Sequence, residues 1–148
     1  MKRLLLFTIL FTAILFLVAG CSKDDDVNPK ADFTGTWKVT TESSVYLNSD
    51  GSSFRDEYIT EDDVNTDPDY EVVITDEVIL VEGESLTYDL SDNSFTFKLE
   101  GETMKFDYTI KGDNMTWKNT QLNRKIEYDG TVYTTIPKQV TTVSLTRK

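Results

Sequence analysis

The clearest pattern in this sequence is the alternation of apolar and polar residues between positions 85 and 118. Successive side chains of a β-strand point to opposite faces, so each alternating run predicts a strand with one apolar and one polar face. Short polar connections such as Asp92-Asn93 and Gly101-Glu102 separate the runs, and such connections predict antiparallel hairpins. Residues 85–118 should therefore form a meander of four strands. Its apolar positions are Leu86, Tyr88, Leu90, Phe95, Phe97, Leu99, Met104, Phe106, Tyr108, Ile110, Met115 and Trp117.

Less regular strands are predicted on both sides of the meander. Residues 70–81 are expected to form either one long bent strand or two strands broken near Asp76. Asp129-Gly130 predicts a hairpin with a type I′ turn between two strands, and Asn48–Gly51 predicts an earlier turn. The remaining predicted strands are Trp37–Tyr46, Phe54–Thr60 (with Phe54 and Tyr58 facing inward), Arg124–Tyr128, Thr131–Ile136 and Gln139–Thr146.

This succession of strands predicts an all-β domain. No stretch after the amino-terminal segment has a helical period, and about 9 to 11 short strands separated by turns are typical of a barrel or a sandwich. Because consecutive strands are joined by short turns, the sequence favours an antiparallel up-and-down β-barrel of about 8–10 strands.

The amino-terminal segment has a different pattern. Lys2 and Arg3 precede residues 4–19, which are apolar apart from Thr8 and Thr12. Those residues are few for a transmembrane helix, which needs roughly 20. A positive start followed by a short apolar run and small residues predicts a secretory signal peptide; the alternative is a plain transmembrane helix.

The residues at the end of the apolar run, Leu17–Cys21, resemble the lipobox of bacterial lipoproteins. The resemblance implies that a diacylglyceryl group is attached to the Cys21 sulfur, that the peptide bond before Cys21 is cut, and that the new amino terminus is acylated. Cys21 would then hold the protein on a membrane through acyl chains of the palmitate type, and two or more chains give stable anchoring.

The acidic stretch Ser22–Asp26 resembles the export signal of surface lipoproteins of Bacteroidetes. That resemblance implies an outer-membrane lipoprotein exposed at the cell surface. The alternative is a solvated linker on a lipoprotein that faces the periplasm. The predicted organisation is a signal peptide over residues 1–20, a lipidated acidic tether over 21–32 and one β-barrel domain over 33–148.

The start of that domain, Gly35-x-Trp37 followed by alternating residues, resembles the first strand of lipocalins and lipocalin-like domains. In that family the tryptophan closes the barrel floor and the glycine allows a tight turn before it. The helix that follows the barrel in lipocalins has no counterpart here, which favours the reduced bacterial version of the fold. The alternative is an ordinary strand with a buried tryptophan.

The composition argues against several classes of function. The chain carries 15 basic and 26 acidic residues, a net charge of −11, and loss of Lys2 and Arg3 with the signal would make it more negative. Such a chain repels nucleic acids, so we expect no nucleic-acid partner. It contains no histidine and one cysteine, so the usual general base and an intrachain disulfide are both excluded. We find no catalytic motif and predict that the protein is not an enzyme and uses no cofactor.

Two sets of residues are candidate sites. Asp63, Asn65, Asp67 and Asp69 space oxygen ligands two apart, as a calcium loop does, but Pro68 replaces the expected glycine and a solvated acidic loop is the alternative. The second set comprises aromatic residues expected to face the barrel interior. They would form either a filled core or a pocket for a small hydrophobic or glycan-like ligand. With a filled core, the protein would instead be an accessory subunit that contacts another envelope protein. This aromatic set is Trp37, Tyr58, Tyr88, Phe97, Phe106, Tyr108 and Trp117.

Overall fold

The computed structural model describes residues 29–128 and 130–148, which form one short helix and a nine-stranded antiparallel sheet. The helix and strands are α1 (Pro29–Phe33), β1 (Gly35–Leu47), β2 (Asp63–Asn65), β3 (Glu71–Ile74), β4 (Val78–Val81), β5 (Glu84–Leu90), β6 (Ser94–Leu99), β7 (Glu102–Lys111), β8 (Asn114–Tyr128) and β9 (Thr131–Arg147).

The sheet closes into an eight-stranded barrel. Each strand from β3 to β9 pairs with the next, β3 pairs with the first part of β1, and β9 pairs with β1 along nearly its whole length. The short β2 pairs with β1 at Glu42–Ser44, on the edge that β3 leaves free. The predicted all-β class and antiparallel barrel are therefore confirmed.

The strands predicted from alternation are confirmed, and others are longer than predicted. Strands β5 to β8 form the expected meander, and the 70–81 segment is two strands with a break at residues 75–77. Strands β8 and β9 each join two predicted strands into one. They continue because β8 and β9 pair with each other along almost their whole length. The barrel interior becomes polar halfway along, so the buried Asn119 and Gln139 interrupt the apolar alternation without ending either strand. The predicted hairpin pairs Tyr128 with Thr131; its turn type involves Asp129, which lies outside the described residues.

The prediction of a strand over Phe54–Thr60 is wrong. This segment is a loop, and the residue just before it, Ser53, forms an isolated bridge with Leu47. The Asp56 carboxylate accepts hydrogen bonds from the backbone N–H groups of Tyr58 and Ile59 at 2.9 and 2.8 Å. Local bonds of this kind offer the backbone an alternative to a strand ladder. The prediction that Tyr58 faces inward is also wrong, because its side chain is 48% exposed.

One end of the barrel is closed by α1 and an apolar core. Phe33, the last residue of α1, is fully buried, and its ring lies 4.8 Å from Tyr108, 5.2 Å from Phe95 and 5.6 Å from Tyr88, measured between ring centroids. The sequence predicts that residues 29–32 belong to the tether, but in the structure they form the turn of helix that carries Phe33. The core comprises Phe33, Trp37, Val39, Val72, Ile74, Ile79, Tyr88, Phe95, Tyr108, Met115, Trp117, Val143 and Leu145.

The Gly35-x-Trp37 motif lies at this closed end. The Trp37 indole N–H donates to the Phe33 carbonyl at 3.1 Å, and the Arg147 guanidinium lies 4.3 Å from the centre of the indole ring. Arg147 also donates to the carbonyls of Asp32 and Thr34. Gly35 has a φ of 134°, and a Cβ there would lie 2.9 Å from a guanidinium nitrogen of Arg147. Glycine therefore permits both the backbone turn and the close approach of the arginine.

The predicted signal peptide, Cys21 and the acidic residues 22–26 lie outside the described residues, so these expectations remain predictions. Among residues 29–128 and 130–148, no helix is long and apolar enough to span a membrane.

Candidate functional site

The end of the barrel opposite α1 contains a polar cavity, which we call the β7–β8 cavity. Its volume is about 410 Å³. Met104 and Phe106 of β7 line one side, together with Glu100 and Glu102 at the β6–β7 turn. The facing lining residues come from β8 and β9 and are Asn119, Gln121, Arg124, Gln139 and Thr141.

The cavity lies where β7 and β8 separate. Their backbone pairing runs from Lys111↔Asn114 to Asp107↔Lys118, and beyond that point β8 pairs only with β9 within the described part of the chain. At the next position along β8, the Asn119 side-chain amide donates a hydrogen bond to the backbone carbonyl of Lys105 in β7 at 2.7 Å. An amide side chain thus replaces a ladder bond and leaves the strands apart.

At the cavity wall, polar side chains form a hydrogen-bonded network around Gln139, which is 4% exposed. The Gln139 side-chain oxygen accepts from Arg124, and its amide nitrogen donates to the hydroxyls of Ser44 and Thr141, both at 3.2 Å. These two hydroxyls lie 3.0 Å apart. Because buried polar groups are costly unless satisfied, this network fixes the Gln139 oxygen and therefore the Arg124 side chain at the cavity wall.

Apart from Tyr58, which is exposed on the 54–62 loop, the predicted aromatic set divides between the closed end and the cavity. Trp37, Tyr88, Tyr108 and Trp117 are buried in the apolar core, and Phe97 packs against it. Of the set, only Phe106 lines the β7–β8 cavity, within the described residues.

The hydroxyls of the core tyrosines already donate hydrogen bonds to backbone carbonyls of the protein. Tyr88 donates to the Thr75 carbonyl at 2.7 Å and Tyr108 to the Asp92 carbonyl at 3.1 Å. Burial raises the pKa of both phenols, so both remain protonated donors at neutral pH. The aromatic residues at the closed end therefore form a filled core.

An acidic pocket of about 720 Å³ lies beside β2 and is lined by Glu42, Asp62 and Asp63, among others. Two of these carboxylates already accept hydrogen bonds from tyrosines: Tyr46 donates to Asp63, and Tyr70 donates to Glu42. Burial, reinforced by the Asp63 hydrogen bond, raises the pKa of Tyr46 to about 12.

Asp62 of the same pocket is also engaged. The backbone N–H of Tyr46 donates to it at 3.1 Å, and this bond, followed by the hydrogen bond and charge of Arg55, lowers the pKa of the Asp62 carboxyl. These contacts tie the 54–62 loop to the rim of the barrel.

The calcium candidate does not form a cluster. Asp63 is bound by Tyr46, and the Asn65 side-chain oxygen accepts from the backbone N–H of Asp67 at 3.2 Å. In the part of the chain that the structure describes, no group of three or more His, Cys, Asp or Glu side chains lies close enough to hold a metal ion. The structure therefore gives no support to a site built from Asp63, Asn65, Asp67 and Asp69.

Sequence reasoning missed the polar residues that line the β7–β8 cavity. The signal was present in the register: Asn119 and Gln121 continue the inward-facing series of Met115 and Trp117. Amides at inward positions of a barrel strand indicate a polar interior, but this conclusion requires knowing that the strand continues beyond Trp117.

Past the last pairing of β9 with β1, β8 and β9 continue as a two-stranded hairpin arm, residues 122–128 and 130–136, with Arg124 of its base at the cavity wall. Large apolar side chains of the arm are exposed, including Tyr128 at 76% and Leu122 at 67%. The arm contacts the 54–62 loop through a hydrogen bond from Thr134 to Asp56 and an edge-on ring contact between Tyr133 and Tyr58.

Comparison with known proteins does not assign this chain to a family. No family model matches it, and no curated protein or solved structure is significantly similar to it.

Proposed function

We propose that this protein is a lipid-anchored envelope lipoprotein whose lipocalin-like barrel binds a small polar ligand in the β7–β8 cavity. It acts as a binding protein and not as an enzyme. The observation that supports this best is the contrast within the barrel: the closed end is filled by aromatic and aliphatic side chains, whereas the other end has a cavity lined by amide and hydroxyl groups.

Several features of the cavity favour ligand binding. Its volume of about 410 Å³ falls within the range of roughly 300–1,000 Å³ typical of small-molecule sites. Met104 and Phe106 supply an apolar surface, and Asn119, Gln121 and Thr141 supply hydrogen-bonding groups. This combination suits a polar ligand with an apolar part better than a fatty acyl chain, because an acyl chain would displace water from the polar lining without offering it hydrogen bonds.

A substitution that fills the cavity tests this function. We expect Gln121→Trp to fill the cavity and to abolish binding of any small molecule that raises the melting temperature of the barrel domain. Thr120→Trp is the matched control, since Thr120 is exposed on the adjacent, outward-facing position of β8 and should leave binding unchanged. The measurement is thermal-shift and calorimetric screening of amino acids, peptides, sugars and fatty acids, with circular dichroism to confirm folding. Equal binding by wild type and Gln121→Trp would refute the cavity as the site.

The proposed anchor is lipid on Cys21, which places the barrel at the outer membrane, either on the cell surface or facing the periplasm. The support is the Leu17–Cys21 lipobox resemblance and the acidic Ser22–Asp26 stretch behind it.

Cys21→Ala should eliminate incorporation of labelled palmitate and leave the precursor uncleaved, because the thioether cannot form. Ser22→Ala retains the cysteine and should be labelled normally. Gel mobility, labelled-fatty-acid incorporation and membrane fractionation provide the readouts. Persistent acyl labelling of Cys21→Ala would disprove lipidation at this residue.

A second candidate function is suggested by the hairpin arm. Exposed Leu122, Tyr128, Val132 and Tyr133 provide apolar contact area of the kind found at protein–protein interfaces. The protein would then be an accessory subunit that contacts an envelope protein through the arm. Native mass spectrometry of the purified lipoprotein separates the two functions, because a bound small molecule and a bound protein differ in mass.

A further inference from the structure

Arg124 is an unusual feature of the β7–β8 cavity because most of its donors are free. One guanidinium nitrogen donates to the buried Gln139 oxygen. Within residues 29–128 and 130–148, Arg124 makes no other hydrogen bond and no ion pair. A guanidinium carries five N–H donors in a planar fork that matches a carboxylate. Arg124 therefore presents unused donors at the cavity wall.

The residue that accepts the Arg124 hydrogen bond, Gln139, is itself held in place by the fold. Gln139 is 4% exposed and is held by the hydroxyls of Ser44 and Thr141, which lie on β1 and β9. Arg124 itself is exposed, and its hydrogen bond to the buried Gln139 oxygen restricts the side chain before a ligand binds, which lowers the conformational cost of binding. The network thus preorganises Arg124 for recognition of an anionic group.

Negative charge lines the other side of the same cavity. Glu100 and Glu102 both line it from the β6–β7 turn, and in the described structure neither carboxylate has an ion-pair partner. A ligand with only a negative charge would be repelled by these carboxylates and by the net charge of −11. A ligand with only a positive charge would meet Arg124. A molecule that carries both charges would complement both walls.

We propose that the β7–β8 cavity binds a small zwitterion, such as a free amino acid or short peptide, with its carboxylate on Arg124 and its ammonium group facing Glu100 and Glu102. The side chain of the ligand would lie against Met104 and Phe106, the apolar part of the lining. This inference rests on the proposed binding function and names the chemical class of the ligand.

Calorimetry on the barrel domain with its tether, residues 22–148, tests the inference. The probes are the standard amino acids and their alanine dipeptides, each tested beside its N-acetyl and its carboxamide derivative, together with neutral disaccharides. We expect a free zwitterion to bind and each blocked derivative to bind about 10-fold or more weakly, since charge-assisted hydrogen bonds are roughly twice as strong as neutral ones.

Variants then assign the charge recognition to Arg124. Arg124→Gln should weaken zwitterion binding about 10- to 100-fold, and Arg124→Lys should restore part of it, since lysine keeps the charge but loses the fork. Lys125→Gln removes the same charge from the next, outward-facing position and should change binding less than about 2-fold. A melting-temperature comparison excludes a folding defect.

The outcomes separate this inference from the proposed function. Zwitterion binding that is lost in Gln121→Trp and Arg124→Gln supports both. Binding of a neutral sugar that is lost in Gln121→Trp but kept in Arg124→Gln overturns the zwitterion and retains the cavity as a site. Absence of binding by every probe, or binding that Gln121→Trp does not alter, overturns both.

Discussion

Replacing Trp37 with alanine should lower the free energy of unfolding by about 3–5 kcal/mol, the range for deleting a buried aromatic side chain. The ring is fully buried, donates a hydrogen bond to the Phe33 carbonyl and is covered by Arg147. The substitution therefore removes packing and leaves a buried carbonyl without its donor. In a domain whose total stability is typically about 5–15 kcal/mol, such a loss should be visible as a large fall in the urea midpoint.

Two further variants test the reason for that loss. Lys38→Ala changes the next residue of β1, which is exposed, and should alter stability by less than about 0.5 kcal/mol. Arg147→Met keeps an apolar cover over the indole but removes the hydrogen bonds to Asp32 and Thr34, so an intermediate loss is expected. A loss below about 1 kcal/mol for Trp37→Ala would contradict the buried position of the ring.

Phe33→Ala should destabilise the barrel by a similar amount, about 3–5 kcal/mol, although Phe33 lies just before the first strand. Its ring packs against Tyr88, Phe95, Tyr108 and Trp117, so alanine would leave a cavity at the closed end of the barrel. Urea unfolding followed by tryptophan fluorescence measures the effect, since Trp117 is in contact with the lost ring.

Leu99→Ala is the control for this prediction, because Leu99 is an apolar residue at the end of a strand but is 49% exposed. It should cost much less than Phe33→Ala. Equal effects of the two substitutions would show that α1 is not docked in the closed end. Hydrogen exchange of the Thr34 amide, which donates to the Lys30 carbonyl at 3.0 Å, reports on the same docking independently.

The position of Phe33 shows a limit of local patterns. Residues 27–32 have no periodicity and contain proline, so the sequence predicts a linker there. A helix of five residues is too short to show a period of 3.6. What holds it is tertiary: the Phe33 ring enters the barrel, and Arg147, at the opposite end of the chain, donates to the Asp32 carbonyl.

The polar residues of the β7–β8 cavity also depend on tertiary structure and not on a local pattern. Met115 and Trp117 alternate with polar residues, and the alternation ends at Asn119, so the sequence pattern suggested that the strand ended there. In the barrel, β8 continues because β9 supplies backbone partners as far as Thr131↔Tyr128. Hydrogen bonding to β9, and not hydrophobicity, keeps this part of the strand extended.

By itself the sequence determined the all-β class, the β5–β8 meander and the inward face of its apolar residues, since a period of two depends only on neighbouring positions. It also indicated that Trp37 is a core residue. The tertiary structure alone decided which end of the barrel is filled and which is open. It brought together Ser44 of β1 with Arg124 of β8 and Gln139 of β9, although Ser44 lies 95 residues before Gln139 in the chain. No local pattern encodes that meeting, because it depends on the register with which β9 closes the barrel between β8 and β1.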